Sequence, residues 1–367
     1  MNASMEKASE LTRTLIDLSM RGLSQMFDAE RHFFCYRRVR TTGGAINEGS
    51  SYRYTLMTLL GLHRARVAGL QMTIDVDPIL KRAIDNHRAI DNVGDLGLLL
   101  WLLALEAPDE IKRVWAEADV SHSLDKFQDA RAGMTTELSW LLAGLSHATL
   151  AKSETPEGLT ELADRVFSLV RSNFGGKSIF GHMSATKLSG RLRGRMGSFA
   201  DQVYPIYGLS VYHRAYGRLD ALRMASKCAE TICHLQGTLG QWWWHYDAVT
   251  GKVAGRYPVY SVHQDGMAPM ALFEIGATTG LDFTVPVLTG LAWITGRNEL
   301  GVDLIDLSEQ VIWRNLHRKG YLMRIEEGRS LLGFEVSRCD PKDLAVLYEC
   351  RPYHLGWLLY AFVGGND

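Results

Sequence analysis

The sequence predicts an all-α chain, an (α/α)6 toroid of about six helical hairpins with short β-hairpin insertions at the rim of a central pocket. Three observations predict it. Six apolar segments of one character recur along the chain, amphipathic segments lie between them, and small residues are spaced through the apolar ones. A helix apolar on every side is buried on every side, whereas a helix with one charged face stands half in water. Their alternation is what two concentric rings require.

The apolar segments are Tyr54–Ala65, Asp95–Leu105, Glu137–Ala148, Tyr204–Tyr216, Met267–Gly280 and Tyr353–Val363. Between them, Thr160–Asn173 and Leu219–Leu235 carry apolar residues at i, i+3, i+4 and i+7, which predicts outer helices. Gly61, Gly97, Ala143, Gly208, Ala271 and Gly356 fall inside the apolar segments, where inner helices crowding one axis need small side chains. The competing arrangement is an irregular bundle of six unrelated core helices.

The Gly, Ser and Arg-rich run Gly175–Ser198 reads as a loop whose Lys187, Arg191, Arg193 and Arg195 suit a lid, an anion contact or plain solvation. Tyr246–Tyr257 reads as a hairpin turning at Thr250-Gly251, and Gly320–Arg324 with Leu331–Val336 as a second. No linker divides the chain, so residues 1–367 are expected to form a single domain.

Composition narrows the function. Hydrophobic residues make up 46% and charged residues 22%, as in globular proteins. A formal net charge of −1 provides no global basic field, so nucleic acid is not an expected partner. The longest apolar run, Leu96 to Leu105, is shorter than the roughly 20 residues a membrane helix needs. Residues 1–26 mix charges at helical spacing with no apolar stretch, so no signal peptide is expected and the location expected is the cytoplasm. Cys35, Cys228, Cys233, Cys339 and Cys350 form no CxxC pair and suit buried thiols. No metal-ligand spacing, P-loop, GxSxG or HExxH occurs, and neither metal nor cofactor is expected.

The window Gln236–Met270 concentrates the candidate chemistry. Trp242, Trp243, Trp244, Tyr246, Tyr257 and Tyr260 supply aromatic faces for stacking, beside His245, Asp247, His263, Gln264 and Asp265. Three adjacent tryptophans cannot all point into a core, so at least one ring faces a cleft or solvent. Ser261 or Asp265 suits the N-cap of the next inner helix.

Polar clusters precede other inner segments too. Asp201 and Gln202 lie before Tyr204; Glu335, Arg338, Arg351, Tyr353 and His354 surround the start of the last helix; Glu48 and Arg53 precede the first. A shared pocket mouth would gather them; separately they are ordinary caps and solvated loops. Asp265, His263, Asp201, Asp247 and Glu335 are the candidate acid/base groups, and the remaining residues of these clusters are candidate substrate contacts.

Gln236-x-x-x-Gly240-x-Trp242 resembles the QxxxGxW repeat of squalene cyclases, which implies a brace between helix ends in an α/α toroid. The motif occurs once, and Asp75-Val76-Asp77-Pro78 lacks the last acid of the DxDD motif those cyclases use. The zinc set of protein prenyltransferases is not recognisable. In architecture the chain is similar to six-hairpin carbohydrate enzymes, namely glycoside hydrolases, uronate lyases and sugar epimerases. Their Trp-rich loops and acid or His residues at the inner-helix mouth resemble Gly240–Asp247 and His263–Met270.

The expected function is therefore a carbohydrate-active enzyme taking a saccharide into an aromatic and polar pocket. A terpene-cyclase-like or prenyl-binding enzyme and a non-catalytic glycan-binding scaffold are the alternatives. Oligomeric state is not legible.

Overall fold

All six apolar segments are helices in the computed structural model of the chain, which describes residues 3–127, 134–151, 154–183, 194–320, 328 and 339–364. Helices of the two rings alternate along the sequence. They are α1 (Ala3–Met26), α2 (Tyr52–Val67), α3 (Asp77–Asp85), α4 (Val93–Glu106), α5 (Ile111–Glu117), α6 (Thr135–Leu150), α7 (Leu159–Ser172), α8 (Ala200–Tyr216), α9 (Leu219–His234), α10 (Ala268–Thr279), α11 (Thr284–Ile294) and α12 (Pro352–Phe362). The even-numbered helices form the inner ring: α2 touches α4, α4 touches α6, and so on to α12, which packs back against α2.

Inner and outer helices differ as their patterns require. In α4 every residue from Leu96 to Leu103 is buried. In α7 the buried set is Leu159, Leu162, Ala163, Val166, Phe167 and Val170, a single stripe facing α6. Local signals fix the helix ends. Ser51 caps α2 by accepting a hydrogen bond from the Tyr54 amide, and Asn92 caps α4 by accepting one from the Asp95 amide at 2.8 Å. Ser261 and Asp265 cap nothing: the Ser261 hydroxyl donates to the carbonyls of Trp313 and Arg314. Asp265 already lies inside a helical turn, His263–Met267, which leads into α10.

Glycines set the spacing of the inner ring. A Cβ on Gly61 would stand 2.1 Å from the carbonyl oxygen of Gly356, and one on Gly144 would stand 2.1 Å from that of Gly97. Backbones therefore touch between α2 and α12 and between α4 and α6.

An aromatic plug fills the axis. The Trp101 ring lies 4.6 Å from Tyr207, 5.1 Å from His147 and 5.8 Å from Trp357, centroid to centroid. The hydroxyls of the plug are satisfied in series: His147 Nε2 bonds the Tyr207 hydroxyl at 2.9 Å, and that hydroxyl bonds Tyr360 at 2.6 Å. Burial, with Arg214 and Arg64 nearby, pushes His147 down to about 3, so its ring is neutral.

Three antiparallel three-stranded sheets stand between the helical hairpins. Strand β1 (Arg37–Thr41) pairs with β2 (Gly44–Glu48) on one side and with β9 (Glu349–Cys350) on the other; β3 (Met196–Ser198), β4 (His245–Asp247) and β5 (Lys252–Gly255) form the second; β6 (Val259–Tyr260), β7 (Asn315–Arg318) and β8 (Leu344–Leu347) form the third. The expected hairpin turning at Thr250-Gly251 is β4–β5, with Gly251 at φ +70°. The second expected hairpin, with Lys187, Arg191 and Arg193 of the basic loop, lies outside the described residues. Among the described residues no helix is long and apolar enough to cross a membrane.

Gly61→Ala is expected to lower stability by about 1–3 kcal/mol through overpacking, measured by urea unfolding. Gly43, whose Cβ would meet nothing within 4 Å, serves as the control. Equal effects of Gly61→Ala and Gly43→Ala would show that the inner ring does not depend on that contact.

Candidate active site

The N-terminal turns of α2, α6, α8 and α12, with the segment leading into α10, line a cavity of about 230 Å³. Its aromatic walls are Trp140, Tyr204, Trp244, Tyr260, Tyr54 and Tyr353. Two groups of charged residues each contribute one guanidinium to it, Arg53 and Arg314.

The acidic group hangs on Arg53, in the first turn of α2. Arg53 lines the cavity and pairs with Asp95 at the start of α4 and with Glu137, 3.3 Å away, at the start of α6. It also donates to the Asn92 side chain at 3.0 Å and lies 5.2 Å over the Trp140 ring. Burial opposes the guanidinium charge, but the two carboxylates outweigh it and raise the Arg53 pKa. Counting formal charges, two carboxylates face one guanidinium.

The basic group hangs on Glu349, a buried carboxylate of β9. It accepts from Arg351 Nε at 2.8 Å and Arg37 Nη1 at 3.0 Å, and stands 3.3 Å from Arg314 Nε. Burial would raise the Glu349 carboxyl, and the three arginines lower it below the usual range. Arg37 also pairs with Glu48 at 2.7 Å, so three guanidiniums face two carboxylates. Arg314 is the member that lines the cavity, 5.0 Å over the Tyr260 ring. Arg351 stands behind it, donating to the Tyr54 hydroxyl at 2.6 Å.

His263 completes the wall. Its ring is parallel to Trp244 at 6.1 Å and packs 4.5 Å from Phe199. Burial, with Arg314 and His354 nearby, pushes it down to about 3, against a bond to the Trp242 backbone. The neutral ring keeps a buried Nδ1 with no protein partner.

Of the residues expected from the sequence, Arg53, Tyr204, Trp244, Tyr260, His263 and Tyr353 line this cavity. Others brace it from behind. Asp201 is fully buried and accepts from five donors: the Thr136 amide and hydroxyl, the Ser198 amide and hydroxyl, and His182 Nδ1 at 3.0 Å. Burial would raise its carboxyl, but these bonds lower it. Gln202 bonds both backbone groups of Phe180, and Gln264 links the Trp242 amide to the Tyr260 carbonyl. Asp265 is fully buried against His354, whose Nε2 meets its two oxygens at 2.7 and 2.9 Å.

Trp242 is buried, and the Trp243 indole donates to the Leu235 carbonyl. Tyr246 accepts from the Trp243 amide, Tyr257 donates to Glu299, and His245 packs beside Trp244. Asp247 ends β4 and pairs with Arg195 at 2.5 Å. Gln236 donates to the carbonyls of Gly240 and Pro286, tying the end of α9 to α11. Asp77, at the start of outer helix α3, is exposed and paired with Arg66. Glu335 and Arg338 lie outside the described residues.

Sequence reasoning passed over Asp95, Glu137, Trp140, Arg314 and Glu349. Asp95 and Glu137 did carry a signal: each is the sole acid of its apolar segment and stands at its first position. Arg314 and Glu349 carried none, since they lie in short strand-forming stretches without periodicity.

No family model matches this chain, and no curated protein matches it significantly. Solved structures do. An unsaturated glucuronyl hydrolase from Bacillus sp. GL1, responsible for the degradation of glycosaminoglycan, is 15% identical over 95% of this chain and 94% of that one, with a TM-score of 0.57. A possible member of the GH105 family from Klebsiella pneumoniae is 11% identical over 97% and 92%, with a TM-score of 0.61. A mutant unsaturated glucuronyl hydrolase from Streptococcus agalactiae, complexed with dGlcA-GalNAc6S, is 13% identical over 96% and 90%, with a TM-score of 0.58. At these identities the likeness establishes the all-α toroid fold.

The buried pair beneath the cavity has a pH signature. Burial alone would lower His354, but Asp265 and Cys350 raise it to about 10 from 6.5. A raised histidine contributes stability that is fully present below about pH 6.5 and is lost as pH rises through about 10. Asp265→Asn is therefore expected to cost about 3–5 kcal/mol at the acid end of that window and less toward its alkaline end. Urea unfolding across the window checks this; a difference independent of pH would remove the ion pair as its cause.

Proposed function

We propose that this chain is an enzyme of the glycoside hydrolase type, a single toroid domain acting on a saccharide whose terminal residue is a uronic acid. The observation that carries the reading is a small aromatic-walled cavity lined by two guanidiniums, Arg53 and Arg314. Arg314 donates to the sugar carboxylate, as guanidinium forks do. Trp140, Trp244 and Tyr260 offer faces and edges for the sugar ring. Glu137 and Asp95, held on Arg53 behind the cavity wall, are the proposed carboxylates for acid/base work of the kind glycoside hydrolysis uses. The helix N-termini around the mouth add partial positive charge that favours an anion.

The size of the cavity supports action at a chain end. About 230 Å³ is below the roughly 300 Å³ at which drug-sized ligand pockets begin, so one ring enters and its neighbour stays at the open mouth. The fold neighbours named for unsaturated glucuronyl hydrolysis support the same substrate class. A hydrocarbon ligand would strip water from Arg53 and Arg314 without returning a hydrogen bond, which sets the prenyl reading below this one. The saturating bonds of Asp201 and the His354 pairing of Asp265 make both of them supports for the mouth, and the acid/base role passes to Glu137 and Asp95.

The test is a panel of glucuronate-terminated disaccharides, saturated and 4,5-unsaturated, beside neutral disaccharides and prenyl diphosphates. Binding is read by tryptophan fluorescence and turnover by release of the second sugar. Uronate-terminated ligands are expected to quench and to be cleaved. Glu137→Gln and Asp95→Asn are expected to lower kcat by about 10²–10⁴-fold while leaving binding in place. Full turnover in both variants would move the chemistry to other residues, and a response to prenyl diphosphates alone would overturn the reading.

A further inference from the structure

Arg314 is the cavity-lining member of the basic group, and its pose depends on a residue that does not line the cavity. Glu349 lies at the junction of three elements distant in sequence: Arg37 of β1, Arg314 beside β7, and Arg351 at the start of α12. Only 3% of it is exposed. Arg351 is held by other contacts as well, since it donates to the Tyr54 hydroxyl and lies 4.1 Å over the Tyr36 ring. Arg37 keeps Glu48. Arg314 has its ring neighbour Tyr260 and, among carboxylates, Glu349.

We infer that Glu349 is a specificity-determining positioning residue, which fixes Arg314 through Nε so that the terminal nitrogens of the guanidinium meet a sugar carboxylate in the cavity. The inference rests on the uronate reading of the cavity and deepens it. A guanidinium recognises a carboxylate by two parallel hydrogen bonds, and that recognition fails when the fork is free to turn. Contact at Nε leaves the terminal pair for the ligand, and the Tyr260 face limits rotation of the plane. Glu349 itself touches no substrate.

The alternative role is that of a plain counter-ion, and the two roles differ in sign. Removing a negative charge next to Arg314 raises the local positive potential and, by electrostatics alone, tightens an anion. Removing an anchor loosens it. Glu349→Gln keeps the shape and removes the charge, so the direction of the change separates the two.

The experiment titrates the full chain with glucuronate and with its neutral methyl ester, reading tryptophan fluorescence. The wild-type protein is expected to prefer the acid. In Glu349→Gln that preference is expected to fall by about tenfold or more, the scale of one charge-assisted hydrogen bond, with ester affinity unchanged. Glu349→Asp, which keeps the charge on a shorter arm, is expected to recover part of the preference, and it carries the test if the glutamine variant does not fold. In an Arg314→Lys background, which has no Nε to hold, Glu349→Gln is expected to add nothing. A preference unchanged or strengthened in Glu349→Gln would overturn the positioning role and leave the cavity reading intact. Absence of any preference in the wild-type protein would overturn the cavity reading, and the role of Glu349 with it.

Discussion

Six helices can close around one axis only if some of them touch through their backbones. Gly61 against Gly356 and Gly97 against Gly144 provide that contact, and the functional geometry follows from it. With the inner ring drawn tight, Arg53 of one helix reaches carboxylates on the next two. A wider ring would leave that distance to water. Each interior glycine costs about 1 kcal/mol of helix propensity relative to alanine, and the close packing it permits offsets that cost.

The plug beneath the mouth sets how deep a ligand goes. Trp101, Tyr207, Trp357 and Tyr360 fill the axis where a channel could otherwise run. Their hydroxyls end on one another and on a neutral His147 rather than on water. An unpaired hydroxyl there would cost about 1–3 kcal/mol, so the series of bonds stabilises a closed floor. A closed floor keeps the cavity small, at about 230 Å³.

The ring was legible in the sequence because burial all round and burial on one face leave different patterns, and those patterns survive in Asp95–Leu105 and Thr160–Asn173 without knowledge of partners. The mouth was legible as a place: polar clusters before inner helices do converge on it. Which members face the cavity was not legible. Asp201 and Thr136 stand on one wall, yet the acid points back to brace two loops while the threonine lines the space. One-dimensional spacing does not separate those directions. Arg53 finds partners 42 and 84 residues away, and Arg314 finds Glu349 on another strand. Such pairs are products of ring closure and exist only after it.

The histidines around the site differ in charge: Asp265 holds His354 protonated beneath the cavity, while two others are neutral. His263 and His147 are pushed to about 3 by burial, with arginines nearby, so neither changes charge between weakly acidic and alkaline solution. The field across the cavity is written instead by guanidiniums, which do not titrate there, and by the carboxylates they hold. On the proposed reading, an acidic sugar enters with its carboxylate toward Arg314 and its linkage toward the Arg53 side of the cavity. On that reading, a pH dependence of turnover where the fold is intact reports the acid/base step rather than a loss of recognition, because the two guanidiniums that line the cavity keep their charge throughout.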